Sequence, residues 1–160
     1  QLAALQTDYV DFYLLHGVNG KRWKQAQEMG IVDFLLEMQK AGRIRHFGFS
    51  FHGSYEEFET ILTARDWDFC QIQFNYMDQE IQAGMRGYAL AEKLGVPIIV
   101  MEPVKGGSLA TISDDITAKF KAAHPDWCAR RSSSGFLSAA RAANTACPAR
   151  LAWISRAISS

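Results

Sequence analysis

The feature that most constrains this chain is a recurrence: four short apolar, β-prone runs, over residues 9–16, 44–50, 68–74 and 97–101, with helix-like periodicity between them. After the first run, Ile31, Phe34, Leu35 and Met38 recur at helical spacing from about Gly30, and Gly42 sits where a left-handed cap ends a helix. After the second, Ser54 and Glu57 make a capping box ahead of Phe58, Ile61 and Leu62. After the third, a helix is predicted over 79–94, with Ile81, Met85, Tyr88 and Ala91 as its buried row and Gly95 as its stop. Ser113-Asp114-Asp115 can cap a last short helix in which Ile116 and Phe120 lie one turn apart, ending near His124-Pro125. Strands alternating with helices predict right-handed crossovers and a parallel sheet. Four such units fit half a barrel or an open sheet.

The first run, Tyr9-Val10-Asp11-Phe12-Tyr13-Leu14-Leu15-His16, reads as a strand buried on both faces and closed by Gly17. Alternation puts Val10, Phe12, Leu14 and His16 on one face, so an imidazole caps an apolar row at the carboxyl end, where α/β enzymes place their chemistry. The alternative is a core histidine satisfied by backbone or water. Leu2, Ala3, Leu5 and Gln6 look like the end of a helix that starts upstream, and Lys21, Arg22, Lys24 and Gln25 read as a loop or a frayed helix start.

At 160 residues the chain has the length of one ordinary domain. No apolar run approaches the roughly 20 residues of a membrane helix, and no signal peptide pattern is visible. Gln1 in place of an initiating Met points to a fragment or a processed chain. Cys70, Cys128 and Cys147 are an odd number without metal-ligand spacing, which favours a reducing, cytoplasmic setting and no metal. The zero net charge hides an asymmetry: residues 1–127 carry all 17 acids and 12 of the 17 bases, a net of −5, whereas residues 128–160 carry five arginines, no lysine and no acid.

Three places can carry chemistry. Gln71, Gln73 and Asn75 share one face of the third strand. Each unsatisfied buried amide costs roughly 1–3 kcal/mol, so they bond one another, water or a ligand; an internal network and a ligand bearing its own amide are the two readings. On the second strand Gly48 and Ser50 leave room opposite bulky aromatics, and Ser50 offers its hydroxyl to a ligand or to nearby backbone. The fourth strand ends Met101-Glu102-Pro103-Val104-Lys105-Gly106-Gly107, whose glycines can bring backbone amides against a phosphate or simply form a strand exit. No GxGxxG or GxxxxGK element follows any strand, which argues against a dinucleotide held in the Rossmann manner.

Four segments in order, Asp8-Tyr9-Val10-Asp11-Phe12-Tyr13-Leu14-Leu15-His16, Gly42-Arg43-Ile44-Arg45-His46-Phe47-Gly48-Phe49-Ser50, Gln71-Ile72-Gln73-Phe74-Asn75-Tyr76 and Glu102-Pro103-Val104-Lys105-Gly106-Gly107, together resemble successive signatures of the aldo-keto reductase superfamily. The resemblance covers about residues 1–125 and implies a partial (β/α)8 TIM barrel, an α/β fold of about four parallel βα units matching the fourth to the seventh, followed by an irregular C-terminal tail. It is greatest toward the branch of oxidoreductases whose barrel is often followed by a ferredoxin-like cluster domain. It implies reduction of a small-molecule carbonyl compound, an aldehyde or ketone, by hydride transfer from NADPH or NADH, with neither nucleic acid nor membrane as partner. By the same resemblance His16 matches the active-site histidine, Ser50 and Gln71 the residues that hold the nicotinamide carboxamide, Met101 a position often taken by a stacking tyrosine, and Glu102, Pro103 and Val104 the loop that follows the cofactor's pyrophosphate.

The departures matter as much. Phe51 stands where an asparagine often follows the serine, and Met101 where the tyrosine stands. The catalytic tyrosine, its activating lysine and the paired aspartate belong to earlier strands of the family and match no position in this chain. From about residue 128 the sequence becomes rich in Ala, Arg and Ser, with no eighth strand and no cluster-binding cysteines. Two regions are therefore expected: a partial barrel over 1–127, and an Ala/Arg/Ser-rich tail over 128–160 that reads as a shifted frame of GC-rich DNA or as disordered, its rival reading being a basic interaction tail for anionic partners. The competing expectation for the chain is a non-catalytic partial barrel that self-associates through exposed sheet edges.

Overall fold

The computed structural model describes residues 1–111, with 113, 114, 118 and 122. The remainder of the helix expected from Ser113 to His124, and the tail over 128–160, lie outside the described residues. In chain order the elements are α1 (Leu2–Leu5), β1 (Val10–Val18), α2 (Gly20–Glu28), α3 (Ile31–Lys40), β2 (Ile44–Phe51), α4 (Tyr55–Thr63), β3 (Phe69–Gln73), α5 (Gly84–Lys93), β4 (Ile98–Met101) and a 3-10 turn, Lys105–Ala110. The four strands form one sheet in sequence order, β1-β2-β3-β4. β1 pairs parallel with β2, and β2 parallel with β3. This is the α/β alternation that the sequence predicts.

The chain divides into two compact units, Gln1–Ile72 with Glu80–Ile99, and Gln73–Gln79 with Val100–Ser160. In the first, the core lies between the sheet and its helices. Phe47, Phe49 and Phe51 alternate down one face of β2 and are completely buried. They meet Phe58 of α4 and Trp67, whose ring centroid lies 4.7 Å from that of Phe49 and 5.2 Å from that of Phe47. The Trp67 indole Nε1 donates to the Ile61 carbonyl at 2.9 Å, so the largest side chain of this layer is buried without an orphaned donor. Truncating any of these aromatics to alanine is worth about 3–5 kcal/mol.

Local chemistry explains the helices. Ser54 caps α4 by accepting from the Glu57 amide while the Glu57 carboxylate accepts from the Ser54 amide, the reciprocal pair read from the sequence. Asp68, just before β3, fastens α3 to β2: its Oδ2 accepts from the Phe47 amide at 2.8 Å and from the Gln39 side-chain amide at 2.7 Å. Gly42 and Gly95 both stand at positive φ, +73° and +70°, as helix stops.

Four expectations are corrected. Among the described residues β1 is the edge strand of the four-stranded sheet, flanked by β2 alone, and of its residues only Gly17 and Val18 at its end are buried; a strand with one neighbour lacks the second covering that its apolar composition anticipated. Residues 20–28 form a true helix, because the Asn19 side chain accepts from the Arg22 amide and Trp23 and Ala26 supply a buried stripe that the polar neighbours obscure. On α3 the buried pair is Val32 and Leu35, and Phe34 is exposed. α5 begins only at Gly84, because Gln82 and Gly84 adopt left-handed φ; Ile81 is exposed, whereas Tyr88 and Ala91 are buried as expected.

Candidate functional site

In the first unit, three of the predicted residues stand on three adjacent parallel strands: His16 and Ser50 near the carboxyl ends of β1 and β2, and Gln71 in the middle of β3. Ser50 and Gln71 are register partners, so their side chains leave the sheet side by side on the face opposite Phe49 and Cys70. Leu14 pairs with Gly48 and Leu15 with Phe49; between Leu15 and Val18 the register then shifts. The irregularity takes in His16 and Gly17 and bends the end of the strand.

The irregularity is built from named contacts. Gly17 stands at φ +62°, a conformation that glycine alone adopts freely. Its amide donates to the Ser50 hydroxyl at 2.7 Å, and its carbonyl accepts from Arg22 Nη1 at 2.8 Å. A Cβ on Gly17 would lie 2.6 Å from that same guanidinium nitrogen. Ser50 thus satisfies nearby backbone, one of its two sequence readings, and as an acceptor in that bond it keeps its own hydroxyl proton. Ser50 is 1% exposed, Gln71 half-buried and His16 exposed. Among the described residues no hydrogen bond engages the Gln71 amide or the His16 imidazole.

Next to Ser50 the sheet is kept thin. A Cβ on Gly48 would collide with the Phe69 carbonyl oxygen and lie 2.8 Å from two carbons of the Phe69 ring. That ring packs edge-on to Phe12, with centroids 5.5 Å apart. The small-residue pattern of β2 thus serves the close approach of β3.

The second unit holds the other predicted residues. β3 ends at Gln73, so Asn75 is not on the strand face with the glutamines as the sequence pattern implied. Asn75 instead folds its side chain over its own turn: Oδ1 accepts from the amides of Met77 at 3.0 Å and Asp78 at 2.9 Å. Its Nδ2 donates to Asp78 Oδ2 at 3.0 Å and to the Glu102 carbonyl at 3.1 Å. Asp78 Oδ2 also accepts from Gln73 Nε2 at 3.1 Å, and Oδ1 from Lys105 Nζ at 2.6 Å. The Lys105 hydrogen bond first, and then that of Asn75, hold the Asp78 carboxyl below the usual carboxylate range. Two of the three amides therefore belong to an internal network, and Gln71 is the one that does not.

Met101, Pro103 and Val104 are half-buried and Glu102 is exposed. The loop departs from ordinary backbone at Glu102, Lys105, Gly106 and Gly107, with φ of +55°, +50°, +61° and +97°. Asp78 and Arg22 escaped the sequence reading, although the Asn75-Tyr76-Met77-Asp78 spacing of an Asx turn was visible. Among the described residues no group of three or more His, Cys, Asp or Glu side chains is placed to hold a metal ion, and no helix is long and apolar enough to cross a membrane.

Comparison with known proteins adds to this geometry. The model of the aldo/keto reductase family matches residues 1–156. Among solved structures, the chain is similar to the holo form of an aldo-keto reductase from Bacillus halodurans, with 26% identity and a TM-score of 0.56 over 70% of this chain and 36% of that one. It is also similar to an aldo/keto reductase from Klebsiella pneumoniae in complex with NADP and acetate, with 20% identity and a TM-score of 0.56 over 81% of this chain and 44% of that one. A reductase from Brucella melitensis matches at 21% identity and a TM-score of 0.53, over 78% and 44% respectively. The chain thus spans less than half the length of these structures. No curated protein matches it.

Proposed function

The chain belongs to the aldo/keto reductase family, and on that premise we propose that it is part of an NAD(P)H-dependent oxidoreductase that reduces aldehydes or ketones. The observation that carries this reading is the pairing of Ser50 with Gln71, one register step across β2 and β3, beside His16.

A nicotinamide carboxamide offers one acceptor oxygen and one donor nitrogen. The Ser50 hydroxyl, already an acceptor for Gly17, has its proton left to give, and the Gln71 amide has both an acceptor and donors unused among the described residues. The residues present fit the group. When bound, the reduced nicotinamide supplies a hydride from C4 to the carbonyl carbon. Ser50 and Gln71 fix the orientation of the ring through its carboxamide. His16, at the strand end, donates a hydrogen bond from its imidazole to the carbonyl oxygen and so positions the bond to be reduced. In the second unit, the turn over Glu102, Pro103 and Val104 is the segment proposed to follow the pyrophosphate, with Met101 giving a thioether in place of an aromatic face.

The final proton comes in this family from a tyrosine activated by a lysine, and by resemblance neither has a counterpart among these 160 residues. The chain is accordingly proposed to hold the nicotinamide side of a reductase site without its general acid. Residues 1–127 are proposed as the partial barrel and 128–160 as a tail of separate character; translating the source DNA in its other frames tests this division. Titration of NADPH fluorescence, paired with an assay of aldehyde-dependent NADPH oxidation, tests the function: saturable binding without turnover is expected.

A second reading, self-association as a partial barrel, is favoured by one observation. Beside the open edge of β1 lies a cavity of about 870 Å³ lined largely by apolar side chains, among them Leu5, Phe12, Phe34, Leu35 and Met38. Sedimentation velocity over a range of concentrations tests it, and a monomer throughout would remove it.

A further inference from the structure

We propose that Asp78 is a positioning residue for the cofactor: with Asn75 it fixes the backbone of residues 102–107 in the conformation that receives the pyrophosphate. The proposal rests on the cofactor reading above and adds to it Asp78, a residue outside the four signature segments, acting together with Asn75 inside one of them.

The loop needs an external restraint. Two of its left-handed residues, Glu102 and Lys105, are not glycines, and such backbone persists only where surroundings over-determine it. Within the loop, the Lys105 amide donates to the Glu102 carbonyl at 3.0 Å, the Gly107 amide to the Val104 carbonyl at 2.9 Å, and the Ser108 hydroxyl to the Lys105 carbonyl at 2.8 Å. These bonds shape a turn but do not anchor it.

The anchors reach both strained residues from one place. Asn75 Nδ2 donates to the Glu102 carbonyl, and Asp78 Oδ1 takes the Lys105 ammonium. Asn75 and Asp78 are themselves locked together, and Gln73 adds a second donor to the carboxylate. Asn75 is 1% exposed and its two amide protons are both spent, one on Asp78 and one on the loop. The side chain of Lys105 is 47% exposed, whereas that of Asp78 is 7% exposed, so the carboxylate is the fixed partner and the loop lysine the one that is held. A charge-assisted bond of this length is among the stronger polar contacts a protein makes.

The test uses Asp78→Asn, Asp78→Glu and Lys105→Met in the full chain, with two readouts. Amide hydrogen exchange of peptides covering 102–110 reports the restraint, and NADPH fluorescence titration reports its consequence. In Asp78→Asn, exchange of 102–110 is expected to rise about tenfold while peptides from β2 stay unchanged, NADPH binding is expected to weaken about tenfold, and Asp78→Glu is expected to recover part of both. Lys105→Met breaks the same contact from its exposed partner, so the test stands even where Asp78→Asn does not fold. Unchanged exchange of 102–110 in Asp78→Asn and Lys105→Met overturns the restraint itself. Raised exchange with unaltered NADPH affinity overturns the positioning role. Raised exchange in the variants, together with a wild-type chain that binds no NADPH, overturns the cofactor reading and the positioning role with it, and leaves the restraint standing as a feature of the fold.

Discussion

The Ser50 hydroxyl accepts the Gly17 amide at 2.7 Å, joining the end of β2 to the residue that follows His16. One bond thus ties together two strand ends that carry candidate residues, because Gly17 follows His16 on β1 and Ser50 is the register partner of Gln71. Ser50→Ala leaves the Gly17 amide buried without its acceptor. It is expected to lower stability by about 1–3 kcal/mol in chemical denaturation, and an unchanged midpoint would show that the bond carries no weight.

Gly48 makes a sharper prediction. Any Cβ there meets the Phe69 carbonyl oxygen, a backbone atom that cannot swing aside. Gly48→Ala is expected to destabilise the chain by about 1–3 kcal/mol or more through overpacking. Thermal denaturation of this variant beside Gly30→Ala, where a Cβ would have open space but the backbone stands at φ +68°, separates steric collision from conformational strain.

Cys70 lies completely buried on the helix-facing side of β3, and burial pushes its thiol far above the ordinary range. It is expected to resist alkylation in the native state and to react fully in denaturant. Peptide mass spectrometry after a timed iodoacetamide pulse reads this directly, and rapid native modification at Cys70 would contradict the burial.

The Asp78 carboxyl, held low by Lys105 and Asn75, links the second unit to pH. A group whose folded pKa lies below its unfolded value contributes stability above the unfolded pKa and loses it as pH falls through the folded one. Lys105 is the charged group in contact with it, the other donors being the neutral amides of Gln73 and Asn75. The advantage of the wild-type chain over Asp78→Asn is therefore expected in full at neutral pH and to fade as the solution is acidified below the ordinary carboxylate range. Exchange of residues 102–110 measured across that range checks it.

Much of the fold was legible because the physics that fixes it is local. The Ser54 and Glu57 capping box, the left-handed glycines 42 and 95, and the apolar strands each announce themselves within a few residues. What escaped depends on contacts distant in sequence or on chain turns with weak signatures. α2 is nucleated by a single Asn19 cap and a Trp23–Ala26 stripe inside a polar stretch, and α5 loses its first turn to left-handed backbone at Gln82 and Gly84. At the site, alternation along β3 set Gln71 and Gln73 on one face, and the register with β2 then puts Gln71 beside Ser50, but the alternation ran on past the end of the strand and took Asn75 with it. The Asx turn that claims Asn75 also recruits Asp78, and through it Lys105, a partner 27 positions away that no periodicity reveals.

The central claim is that Ser50 and Gln71 form a carboxamide-holding pair. Titration of NADPH into the wild-type chain and into Gln71→Ala measures it most directly. Saturable binding by the wild-type chain is predicted, with an affinity about tenfold weaker in Gln71→Ala, as expected for the loss of a half-buried side-chain hydrogen-bonding partner. Equal affinity in the two proteins, or no binding by the wild-type chain, would contradict it.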